Sequence, residues 1–466
     1  MYRVLYLVLA AVGLAEFSST LPLHPGPNLT FLPAPVKFLP EIFSVLCAVY
    51  VVIAGISRHF HLVSIKYWIA FGLFTIIIVC GALANTEAPG PILGELRYFL
   101  RPIPFFFLPA VLDFKEWQKD RILKFVLGLS FLQVPISIYQ RYYCELRGWS
   151  TGDGVTGTMI DSGCMTLVLI CVICVLAAAM LRGRITKWSF VWMFVLLLIP
   201  ISIDETKVTL FLFPPALLGT FLAASPPERK LRVFLTGLAI IVIGGSIFIP
   251  TYNYFNQLNV SKDEQFTVSD VLSKDFLSNY LSHDASVGSG KEVGRADAVS
   301  VPVKTLANDP IKFAFGLGLG NASYSLLGPS FIGQYFYTLG PYVIGFDSGT
   351  FLLETGIFGF ILILTIHWMI FRDSLVVARA DLGITGVIAA GWVGTSLVIL
   401  VGIFYSGIHA NSAVSYLYWF FSGFVTAQRV ALSRPQLRNS GRAVRNGDIS
   451  VAGAARVALS SRINQR

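Results

Sequence analysis

The sequence predicts an all-α, polytopic integral membrane protein of about 12 transmembrane helices with one large extracytoplasmic loop. Three observations predict it. Of 466 residues, 55% are hydrophobic and only 13% charged, with a mean hydropathy of +0.69. A soluble globular chain is nearer 45–50% apolar and about 25% charged. Apolar runs of about 17–25 residues, the length that crosses a bilayer, recur along the chain. The connections between them are basic on every second occasion, as in a chain that weaves across a membrane.

Taken in order, the runs fall near 2–18, 38–56, 67–84, 97–112, 122–139, 163–181, 189–203, 208–224, 233–250, 350–371, 386–408 and 413–427. The first follows Arg3; Leu14-Ala15-Glu16-Phe17 makes a poor small-residue cleavage site, so it reads as a helix and not a signal peptide. The run at 97–112 holds Arg97, Arg101, Pro102 and Pro104 and is the least regular. A broken or re-entrant passage is expected there, which backbone buried in protein tolerates.

With the N-terminus inside, the cytoplasmic connections hold Arg58 and Lys66; Lys115, Lys119 and Arg121; Arg182, Arg184 and Lys187; Arg229, Lys230 and Arg232; and Arg372 and Arg379. The tail adds Arg429, Arg434, Arg438, Arg442 and Arg445. Both termini then face the cytoplasm. The net charge of +9 is thus spread over topology-setting loops and a tail that suits anionic lipid, and no nucleic-acid partner is expected. The chain divides into helices one to nine over 1–250, the extracytoplasmic loop over 251–349, helices ten to twelve over 350–427, and a basic, disordered tail over 428–466.

A polar loop of that length is too long for a passive connection. Val268, Val271, Leu272, Phe276 and Leu277 recur at helical spacing, which predicts an amphipathic surface helix. Ser286-Val287-Gly288-Ser289-Gly290 reads as a hinge, and a second helix is expected from about Val293, disturbed by Pro302 and ended near Asn308-Asp309-Pro310. Gly316-x-Gly318-x-Gly320 follows no strand of a βαβ unit and reads as a tight turn, not a dinucleotide loop.

Ionisable residues near membrane depth are the first functional candidates. Asp204-Glu205-Thr206-Lys207 joins two apolar runs with almost no loop; it is either a solvated turn in which Glu205 and Lys207 neutralise each other, or a base beside a phosphate-binding lysine. Arg295 has the planar fork that suits phosphate, or it pairs with Glu292 or Asp297. Asp347, ahead of Phe351-Leu352-Leu353-Glu354, either caps a helix or accepts a proton from a hydroxyl nucleophile. Lys291 in the loop, and Arg141 and Asp161 around Gly154-Val155-Thr156-Gly157-Thr158, complete the candidates. The Cys171-x-x-Cys174 pair lies in an apolar run and reads as structural. There is no His/Cys metal cluster and no Walker motif in the sequence.

Three stretches resemble the O-antigen polymerase and O-antigen ligase (Wzy/WaaL-type) family of bacterial membrane glycosyltransferases. These are Gly154-Val155-Thr156-Gly157-Thr158-Met159-Ile160-Asp161; Gly294-Arg295 through Asn308-Asp309-Pro310 to Phe315-Gly316-Leu317-Gly318; and Asp347-Ser348 to Glu354-Thr355-Gly356-Ile357-Phe358-Gly359. The resemblance implies a GT-C-like helical fold in the bacterial inner membrane and a donor glycan carried on undecaprenyl pyrophosphate. It implies that Arg295 binds the donor pyrophosphate and that Lys207 stands where many members carry a second arginine. Ligases of the family typically carry a histidine where the chain re-enters the membrane; Asp347-Ser348 stands here instead, as in many polymerases. The expectation is therefore a polysaccharide (exopolysaccharide or O-antigen) polymerase, with membrane lipid and chain-length-regulator and flippase proteins as further partners. Ligase and lipid-linked oligosaccharide transporter are the alternatives.

The chemistry is coherent by itself. Inverting transfer at a sugar–phosphate bond needs a base for the acceptor hydroxyl and cations for the leaving pyrophosphate. Asp347 or Glu205 would be the base, and Arg295 and Lys207 the cations. Pyrophosphate is a good leaving group, so neither a metal nor a cofactor is expected.

Overall fold

The computed structural model describes residues 39–56, 63–85, 88–112, 114–146, 154–159, 161–258, 265, 267–274, 278, 285–287, 290–292, 294–325, 327–343, 345–409 and 412–445. The expected first span, 2–18, lies outside the described residues. From the second span onward the expected runs are largely helical, but the one expected at 386–408 ends its helix at Gly402. The helices are α1 (Leu39–Ala54), α2 (Ile65–Ala84), α3 (Pro89–Leu100), α4 (Ile103–Val111), α5 (Glu116–Leu146), α6 (Ser162–Leu181), α7 (Lys187–Ile203), α8 (Thr209–Ala224) and α9 (Lys230–Gln257). After the polar loop come α14 (Asp347–Ala380), α15 (Ile384–Gly402) and α16 (Ser412–Arg445), with α10 to α13 in the loop itself. Six of these, α2, α5, α6, α9, α14 and α15, are long and apolar enough to cross a membrane, and α1, α7 and α8 are shorter apolar helices.

Burial sorts the helices into centre and rim. In α6 and α15, 83% of the apolar window is buried in protein, against 22% in α2 and 17% in α9. The rim helices expose whole apolar faces, such as Ile65, Ile69, Leu73, Ile76 and Leu83 of α2. In water such faces would drive aggregation; in lipid they are the solvent-facing surface. At the centre α15 packs on α14, α8 and α6. Small residues permit this: a Cβ on Gly391 would lie 2.7 Å from Val175 Cα, and one on Gly394 2.3 Å from the Ala216 carbonyl.

Several basic residues lie at one end of the bundle. Lys66, at the foot of α2, pairs with Asp373 of α14 at 2.7 Å, and Tyr67 donates to the same carboxylate. Arg182 at the end of α6 donates to the Ala378 and Asp381 carbonyls that close α14. Glu116 of α5 accepts from the Ile384 N–H that starts α15. α5 and α6 therefore run in opposite directions, as do α14 and α15.

The run expected at 97–112 is two helices. It breaks at Arg101-Pro102, where proline cannot supply a helical N–H. The Arg101 carbonyl accepts instead from the Ser44 hydroxyl of α1.

The loop differs from expectation in detail. α9 continues through Pro250 to Gln257, so its helix outlasts the expected loop boundary at 251. The amphipathic stretch is a single turn, α10 (Val268–Val271), closed by a Thr267–Asp270 capping box; Phe276 and Leu277 lie outside the described residues. The expected hinge is part of a hairpin in which β1 (Ala285–Val287) pairs with β2 (Gly290–Glu292). α11 (Asp297–Leu306) accommodates Pro302, and α12 (Pro310–Phe315) starts at Asp309, whose carboxylate caps it. α13 (Phe336–Leu339) follows. Beyond the loop, α16 stays helical to Arg445, past the expected start of a disordered tail at 428.

α14 is not straight. Gly356 has φ 65° and ψ −170°, which ends one helical segment and starts another. The Leu317 N–H donates to the Leu353 carbonyl that this break frees. In a continuous helix Asp347 and His367 would stand about 30 Å apart. Here both touch His409, Asp347 by hydrogen bonds and His367 by ring contact. The segment from Asp347 to Thr355 is thus folded back over the rest of α14.

Candidate functional site

The fold-back brings Asp347 into the bundle. Its carboxylate does not cap its own helix. It accepts from the backbone N–H of His409, at 3.2 and 3.0 Å to its two oxygens, and lies 2.8 Å from His409 Nδ1. Both residues are buried, at 4% and 9% exposure. Against an ionised carboxylate, which only accepts, Nδ1 is the donor, and the neutral form of the ring then has its lone pair on Nε2. Phe99 stacks on the imidazole at 6.5 Å, and Phe351 meets it edge-on at 4.8 Å. This is the arrangement of an oriented general base.

Arg295 lies against two aromatic residues that adjoin this pair. Its guanidinium lies 5.7 Å from the Phe346 ring and 5.1 Å from the Tyr405 ring. Phe346 precedes Asp347. Tyr405 precedes Ser406, whose carbonyl accepts the Asp347 backbone N–H at 3.2 Å. The two aromatic rings thus hold a half-buried cation beside the carboxylate–imidazole pair.

Glu205, Arg141 and Lys207 form a second cluster where α5, the α7–α8 corner and the end of α9 meet. Glu205 pairs with Arg141 at 3.1 Å and accepts from Asn256 at 2.8 Å. Arg141 also donates to the Phe255 carbonyl at 2.5 Å. Arg141 is thus one partner that neutralises Glu205, and Lys207 lies half-buried two residues further along the same corner. Glu205 has φ 58°, the left-handed conformation, and is the one non-glycine residue among those described to adopt it. Next to it, Asp204 is fully buried and accepts from Thr166 at 2.5 Å.

Asp161 is the N-cap of α6: one carboxylate oxygen accepts from the Cys164 N–H at 2.7 Å, the other from its thiol at 2.8 Å. Lys291 pairs through its backbone with Ser286 in the hairpin, and its side chain lies outside what is described. Cys171 and Cys174 are free thiols within α6. Among the described residues no group of three His, Cys, Asp or Glu side chains is placed to hold a metal ion.

Two further features escape sequence reading. His409 is one, placed by the sequence in an outer connection 62 residues from its partner. The other is the pair Glu95 and Glu354, both buried, which face each other across Ser323. The N–H groups of Gly320, Ala322 and Ser323 also face Glu354, although neither of its oxygens makes a hydrogen bond of full geometry. Gly316, Gly318 and Gly320 all have positive φ and form the expected tight turn over this carboxylate.

Compared with known families and characterised proteins, the chain matches no family model and no characterised sequence.

Proposed function

We propose that this helical membrane protein is a glycosyltransferase of the bacterial inner membrane that polymerises polysaccharide. It would move glycan from undecaprenyl pyrophosphate to a lipid-linked repeat unit on the outer face. The observation that carries this reading is the Asp347–His409 pair with Arg295 held beside it. His409 Nε2 takes the proton of the acceptor hydroxyl while Asp347 fixes the ring and balances its charge. Arg295 stabilises the pyrophosphate as it leaves. General-base assistance of this kind contributes on the order of 10²–10⁴-fold. About 12 spans, with both termini cytoplasmic and the 251–349 loop outside, belong to the same reading; the basic feet of the helices, at the end opposite the turn over Glu354, support it.

The test is purified protein with a lipid-linked repeat unit as sole substrate, read as a product ladder on a gel. Wild type should give a ladder and Arg295→Ala should lose it. Transfer only after a lipid A-type or protein acceptor is added would make the protein a ligase.

One observation favours a second reading, transport. His367 sits about 9 Å above Asp373 and about 16 Å below Gly356 along α14, so the site lies within the bundle and not on its rim. Two residues beyond Phe99, Arg101 pairs with Glu41 at 3.1 Å beside the α3–α4 break. Broken helices and charges at mid-depth are features of transporters. Absence of product with either acceptor, together with movement of the lipid-linked glycan across proteoliposomes, would establish that reading.

A further inference from the structure

His367 is a buried titratable group that the transfer chemistry above leaves unused. It lies eleven residues beyond the fold in α14 and has no exposed surface. Its Nδ1 is 2.9 Å from the Tyr418 hydroxyl. Its Nε2 is buried without a hydrogen-bond partner. A buried polar atom left unsatisfied is uncommon and asks for a role.

The ring nearest in chemistry is His409, with centroids 5.5 Å apart at an angle of 67°. The other groups facing His367 come from α16: Tyr418, with ring centroids 5.2 Å away, and Trp419, at 5.6 Å. Tyr418 is anchored in turn by Ser396 of α15 and Ser422 of α16, and Ser422 accepts from Trp392 at 2.9 Å. Asp347 is linked to His367 through His409. When Nδ1–H of His367 donates to the Tyr418 oxygen, Nε2 carries a lone pair inside the bundle.

We infer that His367 is the proton-relay partner of His409, a positioning residue that receives the proton which His409 removes from the acceptor. This rests on the glycosyl-transfer reading. The acceptor O–H bond breaks, its proton passes to His409 Nε2, and its electron pair forms the new bond to the anomeric carbon. The bond from that carbon to the pyrophosphate oxygen breaks, and the pyrophosphate leaves with the pair. The His409 imidazolium, still tied to Asp347, then passes its Nε2 proton to His367 Nε2. Two imidazolium rings at this spacing in apolar surroundings repel strongly, so the pair carries one proton at a time. That proton returns through His409 to the departing pyrophosphate or to water, and both rings are neutral for the next turn.

The experiment uses the full chain in proteoliposomes with the lipid-linked repeat unit, comparing wild type, His367→Gly and Tyr418→Phe. His367→Gly should lower kcat by about ten- to a hundred-fold with KM nearly unchanged. Added imidazole should restore much of that rate, and pyrrole, of similar shape but without a basic nitrogen, should not. Tyr418→Phe keeps the ring and removes only the anchor of the tautomer, so it should shift the pH profile of kcat at modest cost in rate. Equal rescue by imidazole and pyrrole would make His367 a packing residue and overturn the relay. So would a loss confined to KM, or wild-type rates in His367→Gly. If His367→Gly does not fold, an unshifted pH profile in Tyr418→Phe overturns the relay. A wild type that forms no product with any acceptor removes the transfer reaction, and the relay falls with it. Wild-type activity that survives His367→Gly removes the relay alone.

Discussion

At the scale of single residues, Asp347 and His409 should behave as one unit. Asp347→Asn keeps the shape but can hold the wrong imidazole tautomer, and His409→Gln removes the base. Each should cost about 100-fold or more in polymer formation, and the double variant should be little worse than either single one, because the two act together. Steady-state assays of the three variants check this. Glu205→Gln should behave differently. It leaves Arg141 buried without its carboxylate, a loss of about 3 kcal/mol, read as a lowered unfolding midpoint in detergent. Asp347 and Arg295 stand out in the sequence as charges at the membrane re-entry and in the polar loop, each with a plain alternative, a helix cap for one and an ion pair for the other. His409 was not legible. Its importance lies in a contact across 62 residues, and nothing in His409-Ala410-Asn411 announces that partner. Glu205 reads in the sequence as part of a solvated turn or as a base, and its buried pairing with Arg141 was not legible: Arg141 comes from α5, and only the packing of α5 on α7 brings the two together.

Among the elements, the fold in α14 is the most exacting. A Cβ on Gly356 would lie 2.5 Å from both the Ala314 carbonyl oxygen and the Gly316 nitrogen. Its backbone conformation is also one that side chains resist. Gly356→Ala should therefore destabilise by at least about 2 kcal/mol and separate Asp347 from His409, seen as a lower melting temperature together with lost activity. At α10, Thr267 holds the Asp270 carboxyl below its ordinary range through its hydroxyl and backbone N–H. A depressed carboxyl contributes stability above its unfolded value and loses it as pH falls through the lower folded one. Hydrogen-exchange protection of the Val271 N–H, which bonds to Thr267, should thus persist through mildly acidic pH and vanish only in stronger acid. Arginines and prolines in one apolar run announced the α3–α4 break. The bend at Gly356 was hidden, because a glycine in an apolar run reads as ordinary membrane helix, and only the close approach of Gly316 requires its φ.

For the whole molecule, the apolar runs and alternating charge were legible because lipid enforces both along the chain. The order of helices around α15 was not, since shape and small-residue contacts decide it. The proposed orientation is testable on a background without native cysteines. In intact cells, a membrane-impermeant maleimide should label a cysteine at the exposed Ser269 of α10 and leave one at the exposed Lys187 of α7 unlabelled. The opposite pattern would invert the molecule and place the site chemistry on the other face.

The fold in α14 also has a consequence for biosynthesis. Asp347 leaves the ribosome 62 residues before His409. In that interval α14 and α15 must insert, and Asp347 cannot yet have its imidazole. The proposed reactive pair is therefore completed only after α15 has been made. A nascent chain halted after Gly402 would have most of the described membrane helices and would lack the proposed reactive pair.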